Sequence, residues 1–205
     1  MTEGNSRPSG RRYAKGEQTR EQILGAAKRL FAQRGYFHTS IEDLLGGSER
    51  TKGAVFHHWR TKEELALELL GEMERNYEQK AFQLLHSDAP ARAVLERVME
   101  TLASANGEPE WYCCRMLAIW SAEFGPADAP LGARVHALQE RWMGFWKELL
   151  TRAQAAGDLA SGADPRTCAT MLAGAILGFQ LLSRNGLSSV DSGGFYRALL
   201  RSILR

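Results

Sequence analysis

The chain has few cysteines, no long apolar run and no apolar N-terminal segment. Its three cysteines show no metal-type spacing, and their odd number favours a reducing compartment over a disulfide scaffold. The longest apolar stretch, residues 171–182, contains Gly174, Gly178 and Gln180 and is too short to cross a bilayer. The N-terminal MTEGNSRPSGRRYAKG lacks the apolar segment that a secretory signal needs. We therefore expect a soluble cytoplasmic protein.

Several catalytic sequence patterns are also missing. Residues 47–53 are glycine-rich like a phosphate-binding loop, but Lys52 precedes Gly53, so the Gly-Lys-Ser/Thr order is absent. Neither a G-x-S-x-G nucleophile turn nor an H-E-x-x-H zinc helix occurs. His57 and His58 are adjacent on a predicted helix and point apart, which argues against joint metal binding. We expect no catalytic activity, no cofactor and no metal site.

The net charge of +2 is distributed unevenly along the chain. Residues 1–62 contain twelve Lys and Arg against six Asp and Glu, a balance of +6. Residues 63–205 contain fourteen against eighteen, a balance of −4. This asymmetry suits a basic end that faces nucleic acid and a body that does not, although chance variation of the surface is an alternative.

The apolar pattern is helical throughout and predicts an all-α fold of about nine helices without internal repeats. Residues 1–16 lack periodicity and are expected to form a disordered basic arm, which either follows phosphates or is a solvated tail. Thr19 with Gln22 predicts the start of the first helix, and Gly35 its end. A long helix is predicted from Thr61 to about His86, either as a simple connector or as a coupling element.

Residues 39–62 carry the pattern of a helix-turn-helix. Ser40 and Asp43 form a capping signature, after which apolar residues recur at helical spacing. Gly46 and Gly47 end this short helix, because glycine is costly inside a helix and permissive at its end. Thr51 restarts the chain as the cap of a second helix over residues 51–58, which is small, basic and aromatic. We expect this second helix to enter the DNA major groove.

The segment TSIEDLLGGSERTKGAVFHHWRTKEEL resembles the DNA-binding segment of the TetR/AcrR family of repressors, and TREQILGAAKRLFAQRGYFHTS extends the likeness upstream. About the first 70 residues match in pattern. The turn differs at Glu49-Arg50, where a glycine and an apolar residue are typical, and Phe56 stands where tyrosine is usual. The resemblance implies a three-helix DNA-binding domain at residues 17–62 and an effector-binding and dimerisation domain at residues 63–205.

The resemblance also places DNA-contacting positions in this chain. We expect Lys52, His58 and Lys62 to hold phosphates, and Arg50, Thr51 and Val55 to touch base edges. The complete expected set is Thr39, Ser40, Arg50, Thr51, Lys52, Gly53, Val55, Phe56, His57, His58 and Lys62. The implied partner is double-stranded DNA with a pseudo-palindromic operator.

A family of this kind also binds a small-molecule effector, and the second half of the chain is rich in large aromatic residues. These side chains either line a pocket for an apolar or aromatic ligand or simply fill the core. Arg115 or His136 is the expected polar partner of the ligand. The candidate ligand-binding residues are Met99, Cys113, Arg115, Met116, Trp120, Phe124, Trp142, Phe145 and Trp146.

Cys113 and Cys114 open a predicted helix, where a helix start and Arg115 favour a thiolate. Either one senses oxidants or electrophiles, or both are small buried residues. The resemblance further implies a homodimer built from the last two long helices, with plain monomer core as the alternative. The expected interface residues are Met171, Leu172, Ile176, Phe179, Leu199 and Ile203.

The function expected from these observations is a ligand-responsive transcriptional regulator, a repressor that an effector releases from its operator. Three alternatives remain open: control by a partner protein, control by thiol chemistry, and a helical enzyme or ligand-binding protein that does not bind DNA.

Overall fold

The computed structural model describes residues 9–46, 52–104, 112–128, 130–187 and 189–205. This part of the chain is helical apart from its loops and one isolated backbone bridge between Leu159 and Leu204. Its helices are α1 (Ser9–Arg34), α2 (Ile41–Leu45), α3 (Lys52–Phe56), α4 (Lys62–Lys80), a 3-10 helix (Phe82–His86), α5 (Ala91–Ser104), α6 (Tyr112–Glu123), α7 (Leu131–Ala155), α8 (Pro165–Arg184) and α9 (Ser192–Ile203). The prediction of an all-α fold with about nine helices is confirmed.

The first helix begins earlier than the sequence pattern predicts. It starts at Ser9 rather than near Thr19, so the prediction of a disordered arm is wrong for residues 9–16, while residues 1–8 lie outside the described part. Residues 11–22 are rich in Arg, Lys, Ala, Glu and Gln, which favour helix, and extending a formed helix is easier than nucleating one. The helix ends as predicted before Gly35, whose φ of +89° suits glycine.

α2 follows the local signals of the sequence. Its N-terminus carries the predicted capping box, in which Asp43 N–H donates to Ser40 Oγ at 3.1 Å and Ser40 N–H donates to the Asp43 carboxylate at 2.8 Å. Gly46 ends the helix with φ of +58°. Leu44, Val55 and Trp59 pack beneath α2 and α3 and are almost fully buried.

α4 joins this N-terminal unit to the rest of the molecule. It carries two ion pairs to α1, Glu68 with Arg20 and Glu72 with Lys28. Nearer its C-terminal end it carries two to α7, Glu74 with Arg134 and Glu78 with Arg141. The helix ends at Lys80 and is followed by the 3-10 helix, so the predicted single helix to His86 is too long. Arg152 of α7 binds the chain just after this break. Its guanidinium donates to the carbonyls of Leu85 and Ala89, at 2.9 Å each.

The body is built from α5 to α9 around one continuous apolar core. α8 packs along α7, and α9 packs on α5. The C-terminal end is fixed by two backbone hydrogen bonds, from Ala160 N–H to the Ile203 carbonyl at 3.0 Å and from Arg205 N–H to the Asp158 carbonyl at 2.8 Å. Within the described residues, each helix is too short or too polar to cross a lipid bilayer.

Candidate DNA-binding face and ligand cavity

α3 presents one polar and aromatic face to solvent. Lys52, Gly53, Phe56 and His57 are exposed, with Phe56 showing 48% of its surface. Val55 lies on the opposite side and is completely buried. Because α1 and α2 pack against α3, its buried side is fixed and its outer face is open to solvent.

Three residues expected to contact DNA have other roles in the structure. Val55 is 0% exposed, so it supports α3 from below and does not reach a base edge. Thr39 is buried, and its hydroxyl donates to the Gly35 carbonyl at 2.7 Å. Lys62 is half-buried, and its ammonium donates to the carbonyls of Tyr36 at 2.9 Å and Thr39 at 3.0 Å. These expectations are corrected, because the three side chains build the turn and the core beneath the face.

Four of the other expected contact residues have separate outcomes. Arg50 and Thr51 lie outside the described residues. Ser40 is exposed, although its hydroxyl also serves the α2 capping box. Lys52 pairs with Glu42 of α2, and both side chains are about 60% exposed, so the pair can open when a phosphate approaches.

The two histidines at the end of α3 differ in environment. His57 is exposed, whereas His58 is half-buried against Trp59, with ring centroids 5.5 Å apart. Burial is the main cause that lowers the pKa of His58 below its ordinary value, and the nearby His57 and Arg20 act in the same direction. The half-buried position and the lowered pKa of His58 both disfavour the phosphate-holding role expected of it.

The turn between α1 and α2 is held from two sides. From α4, the Lys62 ammonium binds two of its carbonyls and lies 4.0 Å from the centroid of the Tyr36 ring. From α6, the Glu123 carboxylate accepts hydrogen bonds from the backbone N–H groups of Tyr36 at 2.7 Å and Phe37 at 3.4 Å. Burial lowers the pKa of Lys62, and the charge of Glu123 opposes that shift. The turn that precedes α2 is thus tied to both α4 and α6.

An apolar cavity of about 130 Å³ lies in the body between α4, α5, α6, α7 and α8. Its walls come from one face of each helix, most clearly from α7, where residues 139, 142, 143 and 146 follow helical spacing. The described residues that line it are Tyr77, Leu102, Cys114, Leu117, Gln139, Trp142, Met143, Trp146, Ala173, Ile176 and Leu177. Among these lining residues no side chain carries a formal charge.

The structure divides the predicted ligand residues into two sets. Trp142 and Trp146 line the cavity, and their rings are stacked at 5.4 Å. The others do not line it: Met99, Met116, Trp120 and Phe145 are buried in the core, while Phe124 and Arg115 are half-buried elsewhere. The side chain of Cys113 is outside the described part, and it is Cys114 that faces the cavity.

Trp120 and Phe124 belong to a different cluster, at the junction of α6 with α1. Trp120 meets Phe31 with centroids 5.6 Å apart, and Phe124 meets Tyr36 at 5.3 Å. The Trp120 Nε1 atom is buried and has no hydrogen-bond partner in the described part of the chain. These aromatic residues join α6 to the N-terminal unit, so the prediction that they line a ligand pocket is wrong.

The polar groups of the cavity also differ from those expected. His136 is exposed and lies 3.5 Å from Glu140, so it is not a ligand partner. The cavity instead contains the Gln139 amide, the Tyr77 hydroxyl and the Cys114 thiol, and Tyr77 Oη donates to Cys114 Sγ at 3.5 Å. One sequence feature could have identified Gln139 as a polar group of the cavity. It follows Leu138 on a helix whose inner face is otherwise apolar.

A second buried polar pair lies close to this site. Gln180 of α8 donates from Nε2 to the Tyr196 hydroxyl of α9 at 3.1 Å. Burial raises the pKa of the Tyr196 hydroxyl above its ordinary value, and the nearby Cys114 adds to that shift. The pair satisfies two polar groups that would be costly to bury alone. Among the described residues, no three His, Cys, Asp or Glu side chains are placed to hold a metal ion.

The predicted dimer residues are mostly used within one chain. Leu172, Ile176, Phe179 and Ile203 are buried in the monomer core, and Leu199 is half-buried. Of the expected set only Met171, at 55%, is strongly exposed. The outer side of α8 instead shows a stripe of apolar and small residues at helical spacing: Met171, Gly174, Ala175, Gly178 and Leu182.

Two family models match the chain. Residues 23–69 match the model for bacterial regulatory proteins of the tetR family, and residues 92–188 match the tetracyclin repressor-like C-terminal domain. Together these matches cover the N-terminal helical unit and most of the body.

Two individual proteins that match the chain in sequence are both named as transcriptional regulators or repressors. The chain is 26% identical over 133 residues to the HTH-type transcriptional regulator LmrA of Bacillus subtilis, covering 64% of this chain and 71% of that protein. It is 37% identical over 99 residues to the HTH-type transcriptional repressor Rv3405c of Mycobacterium tuberculosis, covering 48% of this chain and 47% of that protein. The chain thus spans about half the length of this mycobacterial relative.

The fold has its counterpart among solved structures. A TetR-family transcriptional regulator from Agrobacterium tumefaciens has a TM-score of 0.76 at 19% identity, covering 93% of this chain and 100% of that one. At this level of identity the likeness concerns the fold.

Proposed function

Because the chain belongs to the tetR family of bacterial regulatory proteins, we propose that it is a repressor whose two copies bind one operator and leave it when a small apolar or aromatic effector enters the body. Such a protein acts in the cytoplasm, where the DNA is. We propose no catalytic role, since the matched relatives are named as transcriptional regulators.

The observation that carries this proposal is the arrangement of α3. Its inner side is fixed by Val55 and Trp59, which are 0% and 3% exposed, while Lys52, Gly53, Phe56 and His57 face solvent. A rigid helix with one free polar face is the element that enters a major groove. We propose that Lys52 holds phosphate and that Gly53, Phe56 and His57 lie against the groove.

The test is a DNA-binding titration, by fluorescence anisotropy, on the promoter region beside the gene for this chain. Lys52→Ala is expected to weaken binding on all sequences alike and to lower the slope of log K against log salt by about one. Lys147→Ala, an exposed lysine on α7, is the matched control and is expected to leave both quantities unchanged. Binding that is equally weak on operator and random DNA would contradict the proposal.

We further propose that the chain dimerises through the outer side of α8. Met171 and Leu182 are 55% and 48% exposed, and nothing lies within 4 Å of a side chain added at Gly174 or Gly178. The small residues between Met171 and Leu182 allow the α8 helix of a second copy of the chain to approach closely. A two-fold axis here would present two α3 helices to half-sites about 34–36 Å apart.

The effector site and the DNA-binding face are joined by α6. Cys114 and Leu117 of α6 line the cavity, and Glu123 at the other end of the same helix holds the turn before α2. Nine residues separate Cys114 from Glu123, roughly 14 Å along the helix. A ligand that favours a shifted α6 would therefore move the α1–α2 turn and change the separation of the paired α3 helices.

A second candidate mode of control uses the thiol of Cys114. This side chain is 7% exposed, faces the cavity and accepts a hydrogen bond from Tyr77. Alkylation there would fill the cavity permanently and act as a covalent effector. Operator affinity measured before and after treatment with a small maleimide, with Cys114→Ala as control, tests this mode. Equal affinity in a protein shown by mass spectrometry to carry the adduct would contradict it.

A further inference from the structure

The walls of the cavity define the chemistry of its occupant. No charged side chain is found among the described lining residues, and the polar groups there are an amide, a phenol hydroxyl and a thiol. A carboxylate or a primary ammonium group that enters would lose its hydration without gaining an opposite charge, which is strongly unfavourable. The cavity therefore favours a neutral molecule.

The volume indicates the size of the group that the cavity can surround. The space is about 130 Å³, close to the engineered apolar cavity of about 150 Å³ that binds benzene in another protein. Two wall residues are tryptophans, and Tyr77 meets the Trp142 ring edge-on with centroids 4.9 Å apart. Aromatic side chains that border a space of this size offer ring contacts to an aromatic ligand, and the volume suits one ring.

Gln139 supplies the polar end. It lies on the same face of α7 as Trp142 and Trp146, and its side-chain amide has no hydrogen-bond partner in the described part of the chain. An amide in this position both donates and accepts. A ligand hydroxyl or carbonyl that reaches it gains a hydrogen bond that a hydrocarbon cannot make.

We propose that the cavity binds a neutral single-ring aromatic molecule with one hydroxyl or carbonyl group, which packs beside Trp142 and Trp146 and is held by the Gln139 amide. The identification of this molecule as the effector rests on the proposed function, whereas its chemical class rests on the cavity alone.

Isothermal titration calorimetry on the full chain at neutral pH tests the class directly with four probes: phenol, toluene, benzoate and benzylammonium. Phenol is expected to bind about five- to tenfold more tightly than toluene, since one hydrogen bond separates them. Benzoate and benzylammonium are expected to bind at least tenfold more weakly than phenol. Tighter binding of either ion, or no saturable binding of phenol up to its solubility limit, would overturn the proposal.

Variants of Gln139 test the polar contact. Gln139→Leu is expected to remove the advantage of phenol over toluene while toluene still binds, and Gln139→Glu to improve binding of benzylammonium at least tenfold. Gln79→Leu, an exposed glutamine on α4, is the matched control and should change nothing. If phenol keeps its advantage in a folded Gln139→Leu protein, the assignment of Gln139 is wrong. The comparison of the four probes on the unsubstituted chain tests the ligand class without any variant.

Operator binding measured on the same protein separates the two proposals. A chain that binds phenol as expected but does not bind its operator would contradict the proposed function and leave the ligand class standing. A chain that binds its operator but prefers an ion would contradict the ligand class and leave the repressor standing.

Discussion

Replacing Glu123 by alanine tests the connection between α6 and the DNA-binding unit. The side chain is 13% exposed and accepts the Tyr36 N–H at 2.7 Å, a hydrogen bond to a charged acceptor, while the 3.4 Å contact to Phe37 is too long to contribute much. Hydrogen bonds to charged groups contribute about 1.5–3 kcal/mol. We therefore expect the free energy of unfolding to fall by about 2 kcal/mol, which lowers the Tm by about 4–8 °C for a chain of this length.

The assay is thermal unfolding followed by circular dichroism, together with operator release by ligand. Glu123→Gln keeps an acceptor but loses the charge, so about half of the loss is expected. Glu148→Ala, an exposed residue of α7, is the control and should stay within about 0.5 kcal/mol. If α6 transmits the ligand signal, Glu123→Ala keeps its ligand affinity but shows weaker release of DNA. A loss of stability below about 0.5 kcal/mol, with normal release, would refute this role for Glu123.

Three further predictions concern the DNA-binding face, the dimer and pH. Glu42→Gln removes the charge that pairs with Lys52, which is also a negative charge near the DNA phosphates. Operator affinity should therefore rise about two- to fivefold at low salt. An unchanged or lower affinity would contradict the proposal that Lys52 holds phosphate. Leu182→Glu should convert the dimer to monomer in sedimentation experiments, whereas Thr170→Glu, on another side of α8, should not; a dimer that survives Leu182→Glu would move the interface elsewhere. Because the folded chain lowers the pKa of His58, the unfolded chain binds more protons below about pH 6.5, so stability should fall as the solution is acidified through that range. His58→Gln should reduce this fall, measured as the change in Tm between about pH 7.5 and 5.5, and an unchanged fall would assign it to other groups.

The sequence predicts well those features that depend on neighbours within one turn of chain. The Ser40–Asp43 capping box and the glycine ends at Gly35 and Gly46 are examples, because their hydrogen bonds and dihedral angles involve residues three or four positions apart. Asp164 similarly caps α8 by accepting the Thr167 N–H at 2.9 Å, and the Asp-Pro pair is a local signal for such a helix start.

The sequence does not settle which side of a short helix is buried. α3 has five residues, too few for a period to show, so Val55 was expected on the DNA side although it is completely buried. The role of Lys62 depends on two carbonyls more than 20 residues earlier in the chain. A contact of this kind follows from the packing of α4 against the turn and leaves no local pattern.

Aromatic residues on amphipathic helices give a similar ambiguity. Periodicity indicates that Trp120 and Trp142 are turned inward, but it does not distinguish a side chain that fills a helix junction from one that borders a cavity. In the structure Trp120 packs on Phe31 of α1, and Trp142 lines the space between α4, α7 and α8. That difference arises only when five helices are assembled around one cavity.

Footprinting, followed by a salt-dependent titration on the protected duplex, examines whether this chain binds a specific DNA site through the outer face of α3. We predict one protected region with two half-sites about one helical turn apart, bound far more tightly than random DNA and weakened uniformly by Lys52→Ala. Affinity for this duplex no greater than for random DNA, or a Lys52→Ala protein with unchanged affinity and salt dependence, would contradict it.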